Sequence, residues 1–192
     1  MPNTWKVTLM MGFITMLGGC RSSLPPISTA PDVDLPRFMG DWYVIANIPT
    51  RIERGAHNAV ESYRLDADGT IATTFTFRDG AFGAKPERHC PRGFVRDPAN
   101  KAVWGMQFIW PIKADYRIVY VSEDYQRTIV GREKRDYVWI MARTPELAEA
   151  DFRALSERVA REGYDVSKLV RVPQRWPEDS SAPPRSALEE CP

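Results

Sequence analysis

Three cysteines (Cys20, Cys90 and Cys191), two histidines (His57 and His89) and the isolated acids Glu61 and Glu87 are the residues that could do chemistry in this chain of 192. A nucleophilic cysteine needs a base within hydrogen-bond reach. His89 and Cys90 are neighbours on a strand-like segment, so their side chains point to opposite faces. Neither histidine falls in a metal-binding spacing such as H-E-x-x-H. The chain has no G-x-S-x-G elbow, no P-loop and no G-x-G-x-x-G. Glu61 and Glu87 read as surface or cavity-mouth residues rather than as an acid–base pair. No catalytic residue, metal or cofactor is expected. The chemistry left to the cysteines is acylation and pairing.

Cys20 ends an apolar run. Lys6 supplies a small positive charge, "VTLMMGFITML" is of signal-peptide length, and Gly18 and Gly19 are small enough for a peptidase to grip. The run is too short to span a bilayer comfortably, which takes ~20 apolar residues. Residues 1–19 are therefore read as an export signal. Leu17-Gly18-Gly19-Cys20 resembles the bacterial lipobox, in which the cysteine is acylated and becomes the mature N-terminus. Arg21 at the next position resembles lipoproteins sorted to the outer membrane. An ordinary signal cleaved near Cys20, leaving a thiol, is the other reading. Residues 20–36, rich in Ser and Pro, read as a semi-rigid tether.

Twenty-six basic and 25 acidic residues nearly cancel, which gives no electrostatic argument for nucleic acid. With the signal removed, one domain's length remains. In an oxidising compartment Cys90 and Cys191 can pair. Alternatively, Cys191 is free in the tail 176–192, whose "PEDSSAPPRSALEECP" otherwise reads as disordered.

From Gly40 the pattern turns to period two. "WYVIANI", "NAVESYRL", "TIATTFTF", "RGFVRD", "AVWGMQFIW", "DYRIVYV", "RTIVG" and "YVWIMAR" are short and rich in β-branched and aromatic residues. Turn signals such as "DADG", "RDG" and "DPAN" separate them. Eight strands at this spacing predict a sandwich or an up-and-down antiparallel barrel. One helix follows, with Thr144 as N-cap candidate, Pro145 at its first position and Ala148, Phe152, Leu155 and Val159 on one stripe. It is expected to pack outside the sheet. The segment "KLVRVPQRW" could extend the barrel edge.

"GDWYVIANIP" resembles the G-x-W motif of the lipocalins through Gly40 and Trp42. "SEDYQRTIV" resembles their second motif through Asp124 and Tyr125, and "VWIMARTPEL" the third through Arg143. Over about residues 37–175 the chain resembles the bacterial lipocalins of the outer membrane. The resemblance implies an all-β fold: an eight-stranded antiparallel up-and-down barrel with one C-terminal helix outside. In such a barrel alternate connections share an end, which gathers Trp42, Asp124, Tyr125 and Arg143 at one end as a structural plug. The opposite end becomes the mouth. There Phe82, Trp110, Pro111 and Ile112 could line an apolar rim, and Arg51, Arg54, Lys113 and Arg132 could meet an anionic headgroup.

Alternation supplies the candidate interior. Val44 and Ala46 share a parity with Trp42, and Met106 pairs with Phe108. Tyr116, Ile118 and Tyr120 form a further row, and Tyr137, Trp139 and Met141 another. Phe75 and Phe77 are not both expected inside, and Phe75 is taken as the inner one. A barrel of eight strands is just wide enough to be filled by side chains or to hold one small ligand. The resemblance implies a hydrophobic ligand, a fatty acid or lysophospholipid, carried or stored in the envelope by a protein anchored through Cys20 to the outer membrane and facing the periplasm. A homodimer is compatible with this. The alternatives are a peripheral enzyme, since some proteins of this fold are isomerases or synthases, and a scaffold lipoprotein with a filled barrel.

Overall fold

The computed structural model describes residues 24–178 and residue 191. Cys20, its apolar run and most of the tail lie outside the described residues. Nine strands form the wall: β1 (Gly40–Ile48), β2 (Ala56–Leu65), β3 (Ile71–Asp79), β4 (Pro86–His89), β5 (Arg92–Asp97), β6 (Asn100–Ile109), β7 (Ile112–Val121), β8 (Arg127–Gly131) and β9 (Val138–Ala142). Each pairs antiparallel with its neighbours, and β9 returns to pair with β1. β4 and β5 both pair with β3 and act as one interrupted strand. The result is a closed eight-stranded antiparallel barrel, which leaves no long free edge. A short β10 (Val170–Arg171) adds to β1 through Ala46 and Asn47.

The apolar residues divide into two cores. The inner one fills the barrel's closed half with Phe38, Trp42, Tyr63, Trp104, Ile118 and Met141. Their rings interlock: Phe38 lies 5.0 Å from Trp42 and 5.6 Å from Trp104 between centroids. The outer core lies between the wall and helix α2 (Glu149–Arg161), which buries Leu155 and Val159 against Ile45, Ile129 and Ile140. Arg158 covers the Tyr120 ring at 4.2 Å, and the ion pair Arg127–Asp151 (2.8 Å) fastens the helix to β8.

Four sequence expectations are corrected here. Ala46 and Tyr120 belong to the outer core, not the lumen. The register shifts between Val44 and Ala46, and again between Ile118 and Tyr120. Each bulge inserts an extra residue and reverses the parity beyond it. Phe77 joins Phe75 inside, where the two rings stack 5.1 Å apart, because residues two apart on one strand share a face. Helix α2 begins at Glu149, not beside Thr144, whose hydroxyl donates to the Glu146 carbonyl at 2.8 Å instead of capping. Glu149 and Asp151 place negative charge in its first turn, where the helix dipole favours it.

The fourth correction concerns the segment before the barrel, expected to be plain tether up to residue 36. Ile27, Ala30 and Val33 are buried, and Ala30 N–H donates to the Ile118 carbonyl at 2.8 Å. A one-turn helix, α1 (Leu35–Phe38), capped by Asp34, then drops Phe38 into the closed end. At the other terminus Gln174 donates to the Val44 and Ala59 carbonyls, Trp176 meets Tyr43 edge-on, and Glu178 pairs with buried Arg78 at 2.7 Å. A disulfide joins Cys90 to Cys191.

Candidate ligand-binding site

The closed end is built around one cation. Arg143, at the exit of β9, lays its guanidinium 3.8 Å from the Trp42 ring centroid. Its two terminal nitrogens donate to the carbonyls of Asp41 (2.8 Å), Arg37 (2.8 Å), Met39 (2.8 Å) and Phe38 (3.1 Å), and Nε donates to that of Tyr125 (3.3 Å). Trp42 Nε1 also donates to the Phe38 carbonyl, at 2.8 Å. Gly40 takes φ +91°, and a Cβ there would sit 3.4 Å from Arg143, so both conformation and closeness favour glycine. Tyr125 Oη accepts from Asp34 N–H at 2.8 Å. Asp124 accepts from Ser122 Oγ and Gln126 N–H, and these bonds hold its carboxyl below the usual carboxylate range. Gly40, Trp42, Asp124, Tyr125 and Arg143 therefore come together at one end, which Phe38 and Trp42 fill from inside.

The other end holds a cavity of about 80 Å³. Phe75, Met106, Tyr116 and Trp139 wall it, with Thr73 and Glu61 beside them. Thr50, Ile52, Glu53, Phe108, Ala114, Asp115, Arg132 and Tyr137 also line it. Of the expected interior residues, Val44, Ile118 and Met141 lie in the inner core without lining this cavity. Phe108 is half-exposed at the rim. Of the expected rim residues, Trp110 is 81 % exposed at the tip of the β6–β7 hairpin, next to Ile109 and Ile112. Arg54 is exposed and Phe82 packs outside the lumen, on His57 (4.8 Å) and under Arg175 (4.1 Å). Among the expected cations Arg132 alone touches the cavity, and its Nε is buried without an acceptor among the described residues.

Two buried acids escaped the sequence reading. Glu53, in the β1–β2 connection, accepts from Trp139 Nε1 at 2.7 Å and from Thr50 N–H at 2.8 Å. Glu61, read from sequence as a surface or mouth residue, is only 7 % exposed and lines the cavity. Its Oε2 accepts from Tyr63 Oη, which also hydrogen-bonds Tyr116 Oη, and Tyr116 reaches the same Oε2 at 3.3 Å. Trp104 and Tyr116 stack at 5.6 Å beneath this cluster. A signal for Glu61 was present in "NAVESYRL", where it shares a parity with Tyr63 on a half-buried strand.

Burial raises the Glu61 carboxyl from 4.5 to about 7, and it pushes both tyrosines well above their usual range. Between those two values the folded chain holds a proton that the unfolded chain has lost. Stability is therefore greatest at the acid side of this window and falls as pH rises through 7. At 1.36 kcal/mol per unit the loss from this group is about 3 kcal/mol. Glu61→Gln is expected to raise unfolding free energy by about that much near pH 8 and to change it little near pH 5, in urea titrations at both. An equal effect at the two pH values would contradict the assignment.

Comparison with known proteins agrees with this architecture. A family model described as a lipocalin-like domain matches residues 33–174. Temperature-induced lipocalin-1 of Arabidopsis thaliana is 33% identical over 169 residues, covering 79% of this chain and 86% of the plant protein. The outer membrane lipoprotein Blc of Escherichia coli K12 is 29% identical over 157 residues, covering 81% and 88%. Among solved structures, insecticyanin of the tobacco hornworm Manduca sexta superposes with a TM-score of 0.62 at 16% identity, over 80% of this chain and 87% of that one.

Proposed function

This chain belongs to the lipocalin family, and on that premise we propose that it binds the acyl chain of a fatty acid, lysophospholipid or similar amphiphile, reversibly, in the open half of its barrel. Hydrophobic-ligand binding in general is what the fold and its relatives support. The observation that carries the finer reading is the apolar-walled cavity with Arg132 beside it. Its size favours a slender chain over a ring system, since a cavity of ~150 Å³ is what accommodates benzene. Each methylene that enters contributes ~0.8 kcal/mol. An anionic head held near the rim would give Arg132 Nε the acceptor it lacks.

The polyene fluorescence of cis-parinaric acid tests this directly. The wild-type protein is expected to enhance it saturably, and Met106→Trp, which fills the cavity, to abolish the enhancement while the fold persists by far-UV circular dichroism. Enhancement unchanged in Met106→Trp would place the bound chain elsewhere and overturn the reading.

The tether is part of the same proposal. Similarity to an outer membrane lipoprotein and the Leu17-Gly18-Gly19-Cys20 sequence support an envelope location with acyl chains on Cys20. More than one chain is needed for stable anchoring. Metabolic labelling with radioactive palmitate is expected to mark the wild-type protein and not Cys20→Ala. Equal labelling of both would sink the tether.

A further inference from the structure

The acyl-chain reading leaves one feature of the cavity unexplained. A pocket meant only for a methyl-terminated chain would be apolar at its depth, because a polar group buried without a partner costs free energy. Here the carboxyl group of Glu61 stands in the wall instead. All the protein hydrogen bonds to it arrive at Oε2, from Tyr63 and Tyr116. Oε1 has no donor among the described residues, although the side chain is more than nine-tenths buried. The Trp139 indole, a donor in the same wall, is already committed to Glu53.

We propose that Glu61 Oε1 is a specificity-determining acceptor for a hydroxyl carried on the buried part of the ligand's chain, so that the preferred ligand is a hydroxylated acyl amphiphile. This rests on the acyl-chain reading above and sharpens it. Arg132 Nε, buried without an acceptor, and Glu61, whose Oε1 accepts no hydrogen bond among the described residues, line the same cavity. They ask for opposite partners: an anionic acceptor on one part of the ligand and a donor on another. A hydroxy fatty acid supplies both, and an unsubstituted chain supplies only the first. Above pH 7, where Glu61 is ionised, a second carboxylate in place of the hydroxyl would meet its charge and would be rejected.

The two tyrosines make Glu61 a positioned acceptor. Tyr63 and Tyr116 hold Oε2 from below, and Tyr63 is itself wedged against Phe38 and Trp104, 5.6 Å and 5.8 Å away. The orientation of Oε1 is thereby fixed before the ligand arrives. An incoming hydroxyl loses little to reorganisation, whereas a chain without one leaves a buried acceptor unpaired, the asymmetry by which polar sites reject apolar analogues.

Isothermal titration at pH 8, where Glu61 is ionised, of the delipidated protein with a series of medium-chain ω-hydroxy fatty acids, against unsubstituted fatty acids of the same lengths and the matching dicarboxylates, tests the inference. The best hydroxy acid is expected to bind about tenfold more tightly than its unsubstituted counterpart, and the dicarboxylate more weakly than either. Glu61→Gln, which keeps an acceptor, is expected to retain the hydroxyl preference, and Glu61→Leu to lose it while binding the unsubstituted acid at least as well. Unsubstituted acids that bind wild type as tightly as every hydroxy acid would overturn the role of Glu61 and leave the carrier reading standing. Failure of wild type to bind any member of the three series would overturn both. The wild-type comparison alone decides the matter should the leucine variant not fold.

Discussion

Replacing Trp42 with alanine is expected to lower the free energy of unfolding by about 4 kcal/mol, read from the shift of the urea midpoint. The indole is fully buried in the closed end and touches Phe38 on one side and the Arg143 guanidinium on the other. Large-to-small changes of this kind cost about 3–5 kcal/mol, for the cavity left behind as well as for the lost burial. The rest of the plug cannot slide in to fill the space, because Arg143 is fixed by hydrogen bonds to five carbonyls. Trp42→Phe is expected to lose about 1–2 kcal/mol, since a ring remains for Arg143 while the indole hydrogen bond to Phe38 goes. A loss below about 1 kcal/mol in the alanine variant would mean that the plug is not what holds the barrel shut.

Breaking the Cys90–Cys191 bridge is the second large effect. The bonded residues are 101 apart in sequence, so the bridge withdraws a long loop from the unfolded ensemble. Chain entropy sets a ceiling of ~4.7 kcal/mol for such a loop, and measured bridges usually deliver 2–4. Cys191→Ala is the cleaner variant, because Cys191 belongs to no strand while Cys90 joins β4 to β5 in the wall. It is expected to cost about 3 kcal/mol, and reduced wild-type protein is expected to unfold at the same urea concentration as the variant. Reduction that leaves the wild-type midpoint unmoved would show that the bridge constrains neither state.

Much of this architecture was legible because strands announce themselves by period two and turns by their residues. All eight predicted strand segments are strands, and the barrel closes between the first and last of them. Parity failed where the chain does not keep its period. Ala46 and Tyr120 lie just beyond bulges, and a bulge is a decision of the paired strand that no single strand records. The strap from Ile27 to Val33 was hidden for a different reason: alone it is a Ser- and Pro-rich stretch without period, and it becomes part of the fold only by burying three spaced residues against the wall. Arg78 and Glu178 were equally unreadable as a pair, a hundred residues apart.

The site was legible in outline and not in its polar detail. Phe75, Met106, Tyr116 and Trp139, expected inside, line the cavity, whereas Glu61 is read from sequence as a surface or mouth residue because an acid on a strand usually faces water. Two tyrosines from different strands reverse that expectation. Tyr63 sits two residues away on the same strand, but Tyr116 arrives from β7, fifty-five residues on.

Native mass spectrometry of the protein as purified from the cell envelope, followed by lipid extraction, tests the central claim most directly. The account predicts a population carrying one non-covalent acyl species per chain, lost from the Met106→Trp variant. Protein that is uniformly ligand-free, and stays so after exposure to fatty acids and lysophospholipids, would contradict it and leave the barrel a scaffold rather than a carrier.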